Sequence, residues 1–450
     1  PQRIPPSPPF ARGGSGGIWI GKGASAMTAR QVAKRMLSPF SEGLSFLVRQ
    51  SRDWKVTVAR TSLDRLTYQM VFPYQSIYIV ALGATATQLG AVNSIGMAVA
   101  GLFGPLTGWL IDRAGTKRIY LIGIGLLMLS YLLYGLAQSW LAAVPAMMAY
   151  WLGFSTSVLG CATICGNCLA NKDRAQGMTF CETIAAGLLG MLGPMLGAWL
   201  VGVFGGVGVA GIRPLYFVGF VASAGTFLLV LTQLSDQRWH AVGTSTRPSL
   251  FRDLRQVFRE GRNLKRWILI GSLLHLPMGM VLPFFQVFAH EFKGADQYVL
   301  GAMATGAALT SIVFAIPLGR LADRVGRKRV LYITLPLFWV SNLTLLWAPN
   351  PAFLIAAGVL QGFFFIGLPI GAALERELVP AEQMGRWLGI MRCFRMLLTA
   401  SFALVSGVVW DKLGPHYVFL AFIAIDLLVN VPLLIGMPET LRLRLESRAA

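Results

Sequence analysis

The 450-residue sequence is poor in charge: only 13% of its residues are Asp, Glu, Lys or Arg. A water-soluble domain carries roughly 25%, so a soluble multidomain reading is excluded. Acids are scarcest, 19 against 39 Lys and Arg. Four histidines and no His-Glu-x-x-His leave an intramembrane metalloenzyme without ligands. Five cysteines, set in apolar runs, are too few for a secreted disulfide framework. No charged stretch leads into a short apolar run with a small-residue cleavage site, so no cleavable signal is readable. Apolar residues are abundant instead, at 55%, with 50 Gly, 27 Phe and 12 Trp, and mean hydropathy is +0.61. Disorder and collagen-like structure are excluded with the rest. The composition is that of an all-α, polytopic membrane protein.

Apolar runs of about 20 residues, the length that crosses a bilayer, recur along the chain. They place helices 1–6 near 66–84, 89–111, 119–137, 140–169, 178–204 and 212–234. Helices 7–12 follow near 267–290, 298–321, 329–348, 352–374, 387–410 and 416–437. Twelve spans put both termini on one side. On that face of the scheme lie 34 of the 39 Lys and Arg, and only Arg213, Lys293 and Lys412 lie on the other. Retention of basic loops in the cytoplasm produces this asymmetry, so both termini are expected to be cytoplasmic, in the inner membrane if the source is prokaryotic. The net charge of +20 then reflects topology and anionic lipid, not nucleic acid. Residues 1–26 form a Pro- and Gly-rich leader that does not begin with Met, which makes Met27 a candidate start. The expected domains are a basic amphipathic cytoplasmic segment at 27–64, six-helix bundles at 65–235 and 266–438, a basic linker at 236–265 and a tail at 439–450.

The two halves echo each other. Residues 108–118 read GWLIDRAGTKR and residues 319–329 read GRLADRVGRKR. Pro73 of helix 1 meets Pro283 of helix 7 at nearly the same offset, Gln75 nearly meets Gln286, and Arg174 and Gly177 match Arg386 and Gly389. A duplicated six-helix unit points to a transporter whose site forms between rocking halves. The pattern Gly-x-x-x-Asp-Arg-x-Gly-x-Lys-Arg, present twice, resembles the signature of the major facilitator superfamily, and the resemblance covers roughly 60–440. Pro438-Glu439-Thr440 and Gly193-Pro194-x-x-Gly197 resemble further elements of its drug/proton antiporters. There are departures. Helix 4 has no charged residue, Ala198 stands where the antiporter motif usually has a second glycine, and helix 11 lacks the Gly-Pro pair.

The resemblance implies a gate made by Gly108, Asp112, Arg113, Gly115, Lys117 and Arg118, and by Gly319, Asp323, Arg324, Gly326, Arg327 and Lys328. Gly108 and Gly319 would let a neighbouring helix approach closely. Asp112 and Asp323 sit at unfavourable helix C-termini and would be met by the starts of helices 11 and 5. The alternative is plain positive-inside anchoring.

Charge inside a bilayer is costly and calls for an explanation. Glu182, Asp426, Arg392 and Arg395 are therefore candidate coupling groups. Glu182 could instead be a salt-bridge partner near the inner surface, and Asp426 a structural hydrogen-bonding group. In the family, helices 1, 4, 7 and 10 line the cavity, which makes Tyr68, Gln75, Tyr78, Trp151, His275, Gln286 and Gln361 candidate substrate contacts. His275 equally fits a satisfied core histidine. Cys161, Cys165 and Cys168 share a helical face near Cys181, but packing cysteines are commoner than soft-metal ligands, so no metal is assigned.

The sequence thus reads as a twelve-helix, monomeric secondary transporter, without cofactor or enzymatic activity, moving a small organic molecule by alternating access. Proton-coupled efflux is the first reading. Metabolite uptake and a non-transporting receptor are the alternatives.

Overall fold

In the computed structural model residues 49–169, 177, 181, 186–235, 262–378 and 384–437 are described. The leader, the linker at 236–261, Glu182, and the tail from Pro438 onward, including the Pro-Glu-Thr element, lie outside them. The chain divides into Pro1–Gln50 and Ser51–Ala450, and of the first unit only Arg49 and Gln50 are described. Every regular element among the described residues is a helix.

Local chemistry sets the helix ends. Helix α1 (Arg52–Ala81) starts where the Ser51 hydroxyl accepts from the Trp54 N–H, and α2 (Ala86–Ala114) starts with a reciprocal Thr85/Gln88 capping box. Then come α3 (Thr116–Leu136), α4 (Trp140–Cys168), α5 (described over Ala186–Val203) and α6 (Val209–Gln233). The seventh span is broken into α7a (Arg262–Leu273), α7b (Pro277–Met280) and α7c (Leu282–Lys293). Pro277 and Pro283 each remove an N–H from the ladder and crowd the preceding turn. Helix α8 (Gln297–Val325) is capped by Asp296, whose carboxylate accepts from Val299 N–H at 2.8 Å. Helices α9 (Arg327–Leu346), α10 (Pro351–Leu378) and α11 (Met384–Lys412) follow. The last span is α12a (Pro415–Ile425), a π-helical turn (Asp426–Asn430) and α12b (Val431–Ile435).

Ten of the described helices are long and apolar enough to cross a membrane. The described part of α5 is a shorter apolar stretch, and α1 has the length but carries charge in its first half. That first half departs from expectation. Residues 52–64, expected in a surface-lying segment, continue α1 without interruption. Trp54, Thr57 and Arg60 are buried, because this face packs against α3 and α4 instead of a headgroup layer.

Within the first half, α1 packs on α5, α6 and α4, while α4 also packs on α2 and α3. In the second, α10 packs on α8 and α9, and α11 holds α7a and α7b. The halves meet through α2 against α11 and α5 against α8. Exchanging the halves converts one of these pairs into the other, as a two-fold duplication requires. The duplication extends to single bonds: Ser130 Oγ donates to Ala146 O at 2.7 Å, and Ser341 Oγ donates to Ala357 O at 2.7 Å.

Candidate functional site: gate and tyrosine pocket

The two signature turns fold alike. Gly115 and Gly326 have φ of 87° and 108°, with ψ of 147° and 144°. Positive φ strains any residue with a Cβ, and the single glycine lets one helix pass straight into the next. Two residues on, Lys117 Nζ donates to Leu234 O (2.6 Å) at the end of α6, and Lys328 Nζ donates to Ile435 O (2.8 Å) and Met437 O (2.6 Å) at the end of the twelfth span. An ammonium on the carbonyls of a helix C-terminus satisfies orphan acceptors and opposes the helix dipole. Both lysines therefore bind inside their own half.

Among the remaining signature residues, Asp323 has a 67% exposed side chain and pairs with Arg327 one turn on at 3.9 Å. Arg113, Arg118 and Arg324 are exposed. Gly108 and Asp112 lie in the last turns of α2, with side chains outside the described set, as are the side chains at the start of α11. A Cβ at Gly319 would meet nothing within 4 Å among the described residues.

Among the described residues the halves are joined more closely at the end away from these turns. Gly90 faces the Ala403 carbonyl, Gly407 faces the Ala86 carbonyl, and Thr87 N–H donates to Asp411 Oδ2 at 2.8 Å. A Cβ at Gly301 would lie 2.9 Å from Pro194 O. Tyr74 Oη donates to Gln297 O at 2.8 Å. Toward the basic end, a Cβ at Gly104 would reach only Arg392 Cδ, at 4.0 Å, which puts Arg392 beside α2. The Gly193-Pro194-x-x-Gly197 motif lays both glycines on the α1 backbone, Gly193 at Leu66 O and Gly197 at Met70 O.

Two small adjoining hollows of about 10 Å³ each, room for a single water, lie inside the first half. They share Tyr68, Tyr131 and Tyr150; Gln75, Tyr134 and Tyr216 are among the residues that line one, and Asp64, Arg65 and Phe154 among those that line the other. The rings form a ladder, with Tyr68 stacked on Tyr150 (6.0 Å between centroids) and Tyr134 on Tyr216 (4.8 Å). Gln75 Nε2 donates to Tyr134 Oη at 3.3 Å. Arg60, buried, lies over the Tyr120 ring at 5.1 Å and 3.5 Å from Asp64 Oδ1.

Of the expected substrate contacts, Tyr68 and Gln75 line this pocket, and Trp151 stands edge-on to Tyr150. Tyr78 differs: it is fully buried, its hydroxyl donating to Tyr134 O (3.0 Å) and accepting from Arg213 Nε (3.3 Å). Gln286 and Gln361 are buried in the second half, and His275 Nδ1 is 3.0 Å from Gly271 O, one turn back. Asp426 accepts from Trp339 Nε1 and Asn430 Nδ2, each at 2.6 Å, so it joins the twelfth span to α9. Arg395 Nη2 donates to Glu375 Oε2 at 3.0 Å.

Sequence reasoning missed Glu375, Asp64, Tyr131, Tyr134, Tyr150 and Tyr216. A signal for the tyrosines was present, since eight of the eleven fall between Tyr68 and Tyr216 and Tyr131 and Tyr134 are one turn apart. Cys161, Cys165 and Cys181 bring three sulfurs within 4.8 Å of one another, without Cys168.

A duplicated all-helical bundle, with its halves joined along two symmetry-related helix pairs, defines an integral multi-pass membrane transporter. The Major Facilitator Superfamily model matches residues 61–296 and 267–449, and the chain belongs to that family. It is a secondary transporter of a small molecule and not an enzyme. The multidrug resistance protein MdtG of Yersinia enterocolitica is 26% identical over 74% of this chain and 79% of its own. MdtG of Klebsiella pneumoniae is 24% identical over 82% and 90%. Among solved structures, the nucleoside transporter NupG superposes with a TM-score of 0.66 at 16% identity, covering 86% of this chain and 99% of its own. A POT family transporter in complex with 5-aminolevulinic acid gives 0.69 at 12% identity, covering 86% and 96%.

Proposed function

We propose that this chain exports amphipathic, aromatic organic compounds in exchange for protons, using Asp64 as the group that exchanges the proton. The tyrosine-walled pocket with Asp64 on its lining carries this reading. Stacked phenol rings hold flat apolar ligands and cations with little demand on hydrogen-bond pattern, which suits a broad substrate range. Among the described residues Asp64 is the one carboxylate on the lining, and its ion pair with Arg60 gives a proton or a cationic substrate something to displace. The similarity to multidrug resistance proteins supports the direction. Glu182, one turn into helix 5, is the second candidate coupling group.

The basic end is the cytoplasmic end by the positive-inside argument, in a bacterial-type inner membrane, and the chain works as a monomer. In this conformation the exterior end is shut by α2/α11 and α5/α8. At the cytoplasmic end Asp323 is exposed, which supports an inward-facing conformation. When the site turns outward, the two signature turns latch the cytoplasmic side.

Proteoliposomes loaded with a pH dye and challenged with lipophilic cations, anions and neutral metabolites test this reading. Substrate-evoked proton flux in the wild type, lost in Asp64→Asn and retained in Glu182→Gln, is the expected result. Flux retained in Asp64→Asn moves the coupling site elsewhere. Transport without any proton movement refutes the exchange.

A further inference from the structure

We propose that Cys161, Cys165 and Cys181 form a binding site for a trivalent, thiol-seeking metalloid such as arsenite. Cys161 and Cys165 are one turn apart on α4, and Cys181 comes from the stretch between α4 and α5. Their sulfurs lie within 4.8 Å of one another. Cys165 and Cys181 are buried, while Cys161 is half-buried and offers an approach. Thr61 Oγ1 lies 3.7 Å from Cys161 Sγ, so the trio also borders α1. All three thiols are free, and the apolar residues around Cys161 include Val56, Tyr120, Ile124 and Ile164.

Charge selects the ligand class. Three thiolates around Zn²⁺ would carry one net negative charge and around Cu⁺ two; the buried cation nearby, Arg60 over Tyr120, is already paired with Asp64, so that charge would be buried without a counter-ion of its own. Arsenite reacts without charge: As(OH)₃ plus three R–SH gives As(SR)₃ and three waters. Three S–H and three As–O bonds break, and three As–S and three O–H bonds form. Arsenic stays trivalent, and the product is neutral. Arsenite is itself small and uncharged at neutral pH, so it can reach Cys161 without bringing charge into the helices. Once bound, it ties α4 to Cys181.

The purified full-length protein, reduced and then freed of reductant, is incubated with arsenite, desalted and analysed for arsenic. Free thiols are then alkylated in denaturant, beside an arsenite-free control in which all five react, and mapped by mass spectrometry. The expected result is one arsenic per chain, with Cys161, Cys165 and Cys181 protected and Cys168 and Cys393 alkylated. Cys161→Ser, Cys165→Ser and Cys181→Ser each lose the retained arsenic, while Cys168→Ser and Cys393→Ser keep it. The protection map needs no variant, so it decides the matter even where a substitution impairs folding. No retained arsenic, or protection of any other set of thiols, overturns the site.

Discussion

The Glu375–Arg395 pair offers the most direct test of how the second half is held together. Arg395 Nη2 and Glu375 Oε2 are 3.0 Å apart, and the side chains are 18% and 2% exposed. Glu375 Oε1 and Arg395 Nε have no hydrogen-bond partner among the described residues, so each charge depends largely on the other. Replacing Arg395 by Met keeps the length of the side chain and leaves the carboxylate buried without its cation. Removing one member of a buried pair costs about 3–5 kcal/mol, and little discount for solvent screening applies to a carboxylate this enclosed. The double variant Glu375→Leu/Arg395→Met removes both charges and should recover most of that loss, since an apolar replacement of a buried pair is often close to neutral. Denaturant-induced unfolding in detergent micelles, followed by tryptophan fluorescence, measures all four corners of the cycle. The reasoning is refuted if Arg395→Met unfolds with the wild type, or if the double variant is as unstable as the single. If stability behaves as stated while transport survives in the double variant, Arg395 is an α10–α11 tie and not a coupling group.

Further outcomes follow from the same geometry. Gly115→Ala should destabilise by about 1–3 kcal/mol through positive φ, because an added Cβ there meets nothing within 4 Å among the described residues, and Gly326→Ala by at least as much; thermal unfolding of both variants measures it. Lys117→Met and Lys328→Met should each cost about 1.5–3 kcal/mol, the range for a hydrogen bond to a charged group, with faster amide exchange confined to the end of α6 or of the twelfth span respectively. Tyr150→Phe should keep substrate affinity, whereas Tyr150→Ala should lose roughly tenfold, since an aromatic pair contributes about 0.5–1.5 kcal/mol beyond its buried area; equilibrium dye binding reads this. A larger loss in the Phe variant than in the Ala variant would contradict a stacking role.

The spans were legible because a bilayer demands long apolar runs, and the duplication was legible because Gly115 and Gly326 must both accept positive φ. The helix 1 boundary was not. Asp53, Lys55, Arg60, Asp64 and Arg65 look like a surface face in sequence, and only packing against Tyr120 and α4 shows that Arg60 is enclosed. The break in the seventh span was hidden for the opposite reason: Pro73 of α1 and Pro283 correspond, yet α1 passes its proline unbroken while Pro277 adds a second interruption. Glu375 was overlooked because it sits between apolar residues and Arg376, where a carboxylate reads as part of a cytoplasmic connection. Tyrosines on α3 and α6 fell outside a search confined to four cavity-lining helices, although Tyr68 and Gln75 on α1 led to the same pocket.

The uneven wear of the two copies has a consequence for how cargo is carried. One half keeps an uninterrupted α1 and the tyrosine-lined hollows; the other has a seventh span jointed at Leu274–Leu276 and Val281. With cargo on the tyrosine wall, as proposed, the first half would serve as the fixed cheek of a vice and the jointed half as its moving jaw. Widening the jaw at its joints would then change which cargo is admitted, and how fast, without altering the surface on which the cargo rests.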